Sequence, residues 1–388
     1  MRPIYLDYNA TTPVDPDVLQ AMLPYLRGEF GNPSSSYELG RRARDAIENA
    51  RAEVASLIGA LPDEIVFTGG GTEASNIAIR SGAAGMPGRK AVVTTTIEHP
   101  ATDACCALLA CEGFDIRRVA VDGDAVVAAH DFTAAVDRNT ALVSVIHAQN
   151  EIGTLQPVAE IASIAKAAGA LMHADAAQSV GKVPVDVRGL GVDLLSIAGH
   201  KLYAPKGIGA LYMRRDLDLP SVLVGAGQEH GRRPGTENVA FIVALGEACR
   251  LAAMRVEAGA AHMRSLTERL LRQLTAEIPE IVRVGDADRR LPNTLNVLFP
   301  GVSGRKLLEA CPRVSASTGS ACHADREEPS AILLATGLKP ERAIGAVRLS
   351  VGAHTTLDEI DAAAASLVSA WRVLRYPTDA DPARIPAL

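Results

Sequence analysis

From Ile65 onward the chain repeats one pattern: a short apolar run, a turn, then a stretch with helical periodicity. Candidate strands fall at 64–68, 90–95, 115–119, 141–147, 171–174, 192–197 and 208–213, and intervening segments such as Val158 to Ala168 carry helical spacing. Strands alternating with helices predict a largely parallel sheet covered on both faces. Ligands of such sheets sit at the carboxyl ends of the strands, so the residues after each run are the candidates for chemistry.

Ahead of the repeats, residues 5–13 read as an extended piece ending in a turn. Asp15-Pro16-Asp17 then starts a helix, with Asp as cap and Pro in the first turn, and an amphipathic helical run ends near Gly59. Around Thr236 the character changes. A long helical run reaches about Glu277, followed by fewer strands, at 281–284, 294–299 and 346–351. The expected division is a large domain over 14–255 and a smaller α/β domain built from 1–13 and 256–388, with the boundary inside the long helix. Residues 377–388 continue a loose Pro-containing tail that starts at Tyr376.

The 388 residues supply ample chain for a large core, and 48% hydrophobic with 22% charged residues suits a soluble enzyme. A net charge of -6 without a basic run argues against nucleic acid and membrane surfaces as partners. The six cysteines show no C-x-x-C and no metal-ligand spacing, so no metal is expected and a reducing cytoplasm is. Cys105, Cys106, Cys111, Cys249 and Cys311 lie in or at the end of apolar helical stretches and are expected to be packing residues. Cys322 differs: Ser317 to Asp325 is small and polar, the composition of an exposed loop.

Lys201 follows the apolar run Val192 to Ile197 and precedes Gly207 to Met213. A lysine there is either a solvated turn residue or a buried amine whose lowered pKa lets it form a Schiff base. Phe67-Thr68-Gly69-Gly70-Gly71-Thr72-Glu73-Ala74 runs from strand through glycines into a helix, which is either a tight capped turn or a phosphate cradle. It matches neither the nucleoside-triphosphate loop nor the dinucleotide fingerprint. Asp175 ends a buried strand, as a helix cap or as the carboxylate that a pyridinium nitrogen needs. His99 and Asn150 also follow strands.

These residues carry a resemblance. Leu6 to Pro13, Gly31-Asn32-Pro33-Ser34-Ser35, Gly70-Gly71-Thr72-Glu73, Glu98-His99, Asn150-Glu151-Ile152-Gly153, Asp175-Ala176-Ala177-Gln178-Ser179, Gly199-His200-Lys201, Arg233 to Asn238 and Gly319-Ser320-Ala321-Cys322 together resemble the cysteine desulfurase family, with selenocysteine lyase close by. The resemblance implies fold type I of the pyridoxal-phosphate (PLP)-dependent transferases, aspartate aminotransferase-like, with a mainly parallel seven-stranded sheet. It implies that Lys201 carries pyridoxal 5'-phosphate on its amine, with Asp175 at the ring nitrogen and His99 stacked on the ring. Gln178 and Asn150 would meet the phenolic oxygen, and Gly71, Thr72 and His200 the phosphate, joined by Thr236 of a second subunit in a homodimer. Arg348, with Asn150, would hold the substrate. Cys322, on a loop at about 315–330, would take sulfur from L-cysteine as a persulfide, leaving L-alanine. An iron–sulfur scaffold or a tRNA or cofactor thiolation route would then accept it.

Four positions depart from the commoner desulfurase pattern: Tyr37, Ala198 in place of a phosphate-touching serine, and the pair Ala353-His354. They leave the preferred chalcogen open, with a selenocysteine lyase as the alternative. A non-catalytic sulfur-trafficking subunit is a separate reading, against which the presence of Lys201, Asp175, His99 and Cys322 speaks.

Overall fold

The computed structural model describes residues 3–319 and 328–376. Among these residues twelve strands occur in order: β1 (Ile4–Tyr5), β2 (Ile65–Thr68), β3 (Ala91–Thr95), β4 (Asp115–Val119), β5 (Thr140–Ile146), β6 (Leu171–Asp175), β7 (Leu194–Ala198), β8 (Gly209–Met213), β9 (Val282–Arg283), β10 (Thr294–Leu298), β11 (Val314–Ser315) and β12 (Ala346–Ser350). Each strand expected from the repeats is present within two residues of its expected ends. The pairing of β1 with β11 was not anticipated, because two-residue strands leave no periodicity to read.

Seven strands form the central sheet in the order β2-β8-β7-β6-β5-β3-β4. Only β8 runs against its neighbours, pairing antiparallel with both β2 and β7. Two reversals restore direction, so β2, β3, β5, β6 and β7 all point their carboxyl ends the same way. Alternation along the strands feeds two cores. Val92, Leu142, Leu171, Leu194 and Leu211 pack under the helix Gly71–Ala84, while Val93, Val143, Met172, Leu195 and Ala210 pack against the opposite layer. Each such fully buried Leu or Val contributes roughly 1.5–3 kcal/mol relative to exposure.

A second group of strands, β12-β10-β9, forms an antiparallel sheet. Its core gathers Leu295, Val297, Val347, Leu349 and Trp371, and also Ile4 and Leu6 from the start of the chain. The helix Val239–Glu277 serves both cores, through Leu245 and Leu251 at one end and Leu266, Leu270 and Leu274 at the other. Between them Arg255 reaches Asp15 at 3.0 Å. Asp15 caps its own helix as expected, accepting from Asp17 N at 2.9 Å.

One packing expectation fails. Cys105, Cys106, Cys249 and Cys311 are buried, but Cys111 is exposed. It occupies the last turn of the helix Pro100–Cys111, whose buried face is carried by Ala101, Thr102, Cys105, Cys106 and Leu109. Among the described residues, no helix is long and apolar enough to cross a membrane.

Candidate active site

The shared direction of five strands brings their carboxyl-end residues to one cavity of about 920 Å³. Gly71 and Thr72 follow β2, His99 follows β3, Asn150 follows β5, Asp175 and Gln178 close β6, and His200 and Lys201 follow β7; all line the cavity, as does Arg348 of β12. Thr236 is exposed and is not part of this lining. Cys322 lies outside the described residues.

Lys201 ends the short helical turn Gly199–Lys201 directly after β7. It is half-buried, and its Nζ donates to the backbone carbonyls of Asn9 and of Ala10, the latter at 2.9 Å. Burial, with Arg348 adding repulsion, lowers its pKa to about 8, against the pull of Asp7 and Asp175. About a tenth of the amine is therefore neutral at pH 7, a nucleophilic fraction far above that of an ordinary lysine.

Asp175 is 5% exposed and paired across the sheet with Ile146 and Ser196. Burial raises its pKa, opposed by the N–H of Ala177 at 3.0 Å and by His99 and Lys201. The pKa of His99 is lowered by burial, opposed by Asp175 and helped by Lys201. Its Nδ1 accepts from Ala101 N at 3.1 Å, so in the neutral ring the proton sits on Nε2. The helix Gly71–Ala84 starts beside Ala198: a Cβ on Gly71 would come within 3.1 Å of the Ala198 Cβ. Gly70 takes φ 150, a conformation open to glycine. The first turn of that helix thus offers bare N–H groups and its positive dipole end to the cavity. Burial pushes His200 down to about 4, and its Nδ1 lies 3.1 Å from Thr11 Oγ1.

Arg348 is 5% exposed. Its guanidinium donates to Asp7 Oδ1 at 2.7 Å and to the carbonyl of Asn150 at 3.1 Å, while Nε is buried without a partner among the described residues. A planar fork held on one side with a free donor on the other suits a carboxylate ligand.

The segment 6–13 carries part of the family resemblance, and the structure gives its residues their roles. Asn9, 1% exposed, donates from Nδ2 to the Asn150 carbonyl (3.1 Å) and Thr294 Oγ1 (2.8 Å), and accepts at Oδ1 from Lys182 (3.2 Å) and Asn293 (3.0 Å). Its carbonyl accepts from both Lys201 and Gln178. The polar run Asp7 to Thr12, set in an otherwise apolar start, was the available signal.

Glu98, beside His99 in the sequence, also has a role that its motif alone does not reveal. It is 1% exposed, and Oε1 accepts from Thr95 Oγ1 at 2.6 Å and Ile146 N at 3.0 Å, tying the end of β3 to that of β5. Burial raises its pKa from 4.5 to about 8, so it is mostly protonated at pH 7. The folded protein then holds a proton that the unfolded chain releases, and stability falls as pH rises from about 4.5 to about 8. Glu98→Gln is expected to flatten that decline in melting temperature while changing stability at pH 5 by less than about 1 kcal/mol. An unchanged pH dependence would contradict the assignment.

Comparisons with known proteins agree with this geometry. The aminotransferase class-V family matches residues 4–363. A cysteine desulfurase of Trichormus azollae is 42% identical over 363 residues, covering 93% of this chain and 91% of that protein. A cysteine desulfurase of Homo sapiens is 42% identical over 365 residues, covering 93% and 80%. Among solved structures, a NifS-like protein has a TM-score of 0.89 at 34% identity, covering 96% of this chain and 100% of that one. SspA in complex with cysteine has a TM-score of 0.80 at 34% identity, covering 91% and 99%. A full-length family match, two-fifths identity to desulfurases and a lysine-bearing cavity at the carboxyl end of a mainly parallel sheet converge: the chain belongs to the cysteine desulfurase family of class-V aminotransferases.

Proposed function

We propose that the chain is a PLP-dependent cysteine desulfurase that converts L-cysteine to L-alanine and carries the sulfur away on Cys322. The observation that carries this reading is Lys201, an amine with a pKa near 8 facing a cavity that also holds a buried carboxylate and a glycine-lined helix start. The donor set fits the cofactor. Lys201 would bind its aldehyde, Asp175 its ring nitrogen and His99 its ring face. Gln178 and Asn150 would meet the phenolic oxygen, and Gly71, Thr72 and His200 the phosphate. Ala198 brings no hydroxyl to that phosphate. Thr236, exposed in this chain, would reach the phosphate from a second copy, making a homodimer the working unit.

When bound, pyridoxal phosphate supplies an electron sink that makes the Cα–H of an amino acid acidic. Arg348 would grip the substrate carboxylate through the donor it has left. The neutral Lys201 amine takes the Cα proton, and His99, with its proton on Nε2, can pass one on. The Cys322 thiolate attacks the substrate sulfur; an S–S bond replaces the Cβ–S bond, and the carbon gains a proton to become the methyl group of alanine. The persulfide then passes to an acceptor such as an iron–sulfur scaffold or a thiolation carrier, in the cytoplasm.

The two cores that meet along the helix Val239–Glu277 support a large domain over 14–255 and a small one from 1–13 and 256–388. The names of the relatives favour cysteine over selenocysteine as substrate. Incubation with L-cysteine and a thiol acceptor is expected to yield alanine and transferred sulfur in equal amounts. Pyruvate in place of alanine, or turnover of selenocysteine alone, would contradict the reading.

A further inference from the structure

Lys182 is 6% exposed and does not line the large cavity; it borders a small one of about 70 Å³ behind it. Its Nζ donates to Gln178 Oε1 at 2.7 Å and to Asn9 Oδ1 at 3.2 Å. Neither partner is a carboxylate, so this amine is buried without an opposing charge among its hydrogen-bond partners. Burial pushes its pKa well below the usual lysine range, with Lys201 and Arg348 adding repulsion. Burying an amine in this way is costly, and two carboxamides do little to offset the lost hydration.

The orientation of both amides is forced. Asn9 Nδ2 faces the Asn150 carbonyl, which can only accept, so Oδ1 must face Lys182. Gln178 Nε2 faces the Asn9 carbonyl at 3.0 Å, which again can only accept, so Oε1 must face Lys182. We propose that Lys182 is a positioning residue that locks the Gln178 carboxamide with its oxygen turned behind the cavity wall and its N–H group left to the cavity. Gln178 is then a donor only toward whatever oxygen binds there. This rests on the reading that the ligand is pyridoxal phosphate and that Gln178 meets its phenolic oxygen. A donor there stabilises the oxygen's negative charge and lowers the pH at which the bound cofactor's visible band changes.

The test is a pH titration of the visible band in holoenzyme carrying Lys182→Met, Gln178→Ala, both together, and Lys182→Arg. Lys182→Met removes the donor that holds Oε1 and leaves the amide oriented by the Asn9 carbonyl alone, so the turned form becomes populated and the midpoint is expected to rise, by up to about one pH unit. In the Gln178→Ala background the same change is expected to shift nothing further. Lys182→Arg keeps a donor-only head, has the small cavity to expand into, and is expected to restore the wild-type midpoint. A wild-type midpoint in Lys182→Met overturns the inference, and so does a shift of equal size with Gln178 absent, which would mean that the lysine acts by charge alone. If Lys182→Met does not accumulate as folded protein, Lys182→Gln, whose amide can face either way, is expected to shift the midpoint in the same direction, and no shift there also overturns the inference. Absence of any visible band in the wild-type protein would instead refute the cofactor reading on which this rests.

Discussion

Lys201→Ala is expected to give a folded protein that forms no covalent cofactor adduct and turns over L-cysteine about 10^4-fold more slowly, the upper end of what one positioned proton carrier contributes. The size follows from two losses at one atom. The amine that would hold the aldehyde is gone, and so is the base placed to take the Cα proton. Folding should survive. Nζ is half-buried, its removal relieves a desolvated charge, and the Asn9 carbonyl keeps Gln178 as a donor. A melting temperature within a few degrees of wild type, with no absorbance above 400 nm that resists dialysis, would be the accompanying signs. Turnover within about tenfold of wild type would contradict the role.

Cys322→Ala is expected to separate the two halves of the reaction. The cavity residues from Gly71 to Arg348 are untouched, so the cofactor band should form as in wild type and respond to added L-cysteine. Without the thiolate no S–S bond can form, and alanine production should drop to the background rate, with no protein persulfide detectable by alkylation and mass spectrometry. The five other cysteines cannot replace it. Burial holds the thiols of Cys105, Cys106, Cys249 and Cys311 above their ordinary pKa, about 12 for Cys106 and Cys249. The exposed Cys111 closes the helix Pro100–Cys111 and is absent from the cavity lining. Selenocysteine, whose selenolate leaves more readily, is the informative second substrate. Its turnover should persist in the variant while that of cysteine is lost. Full cysteine turnover in Cys322→Ala would show that the nucleophile lies elsewhere.

Much of this was legible in the chain because buried parallel strands are apolar on both faces. β5, buried from Thr140 to Ile146, stands out in any hydropathy pattern, and each turn after such a run had to present a polar residue to a ligand or to solvent. That logic located Lys201, Asp175, His99 and Asn150 without knowledge of which strands are neighbours. Direction was less accessible. Nothing in Gly209 to Met213 signals that β8 runs antiparallel, yet that reversal is what brings the start of β8, with Lys206, Gly207 and Ile208, to the cavity instead of its end. Least legible were polar contacts across large sequence separations. Asn9 meets Lys182 and Asn293, and Asp7 meets Arg348, because the start of the chain threads between the two cores. A buried lysine in Val180-Gly181-Lys182-Val183 looks like any solvated lysine until its partners are in place. Cys111 misled for the opposite reason. Its apolar surroundings in sequence are shared by both faces of the helix, and only packing decides which face turns inward.

The account depends on one covalent attachment, and borohydride reduction of the holoenzyme followed by peptide mapping tests it most directly. The predicted result is a single phosphopyridoxyl group on the peptide that contains Lys201. A tag on Lys182 or on Lys206, or no tag on any lysine, would contradict it.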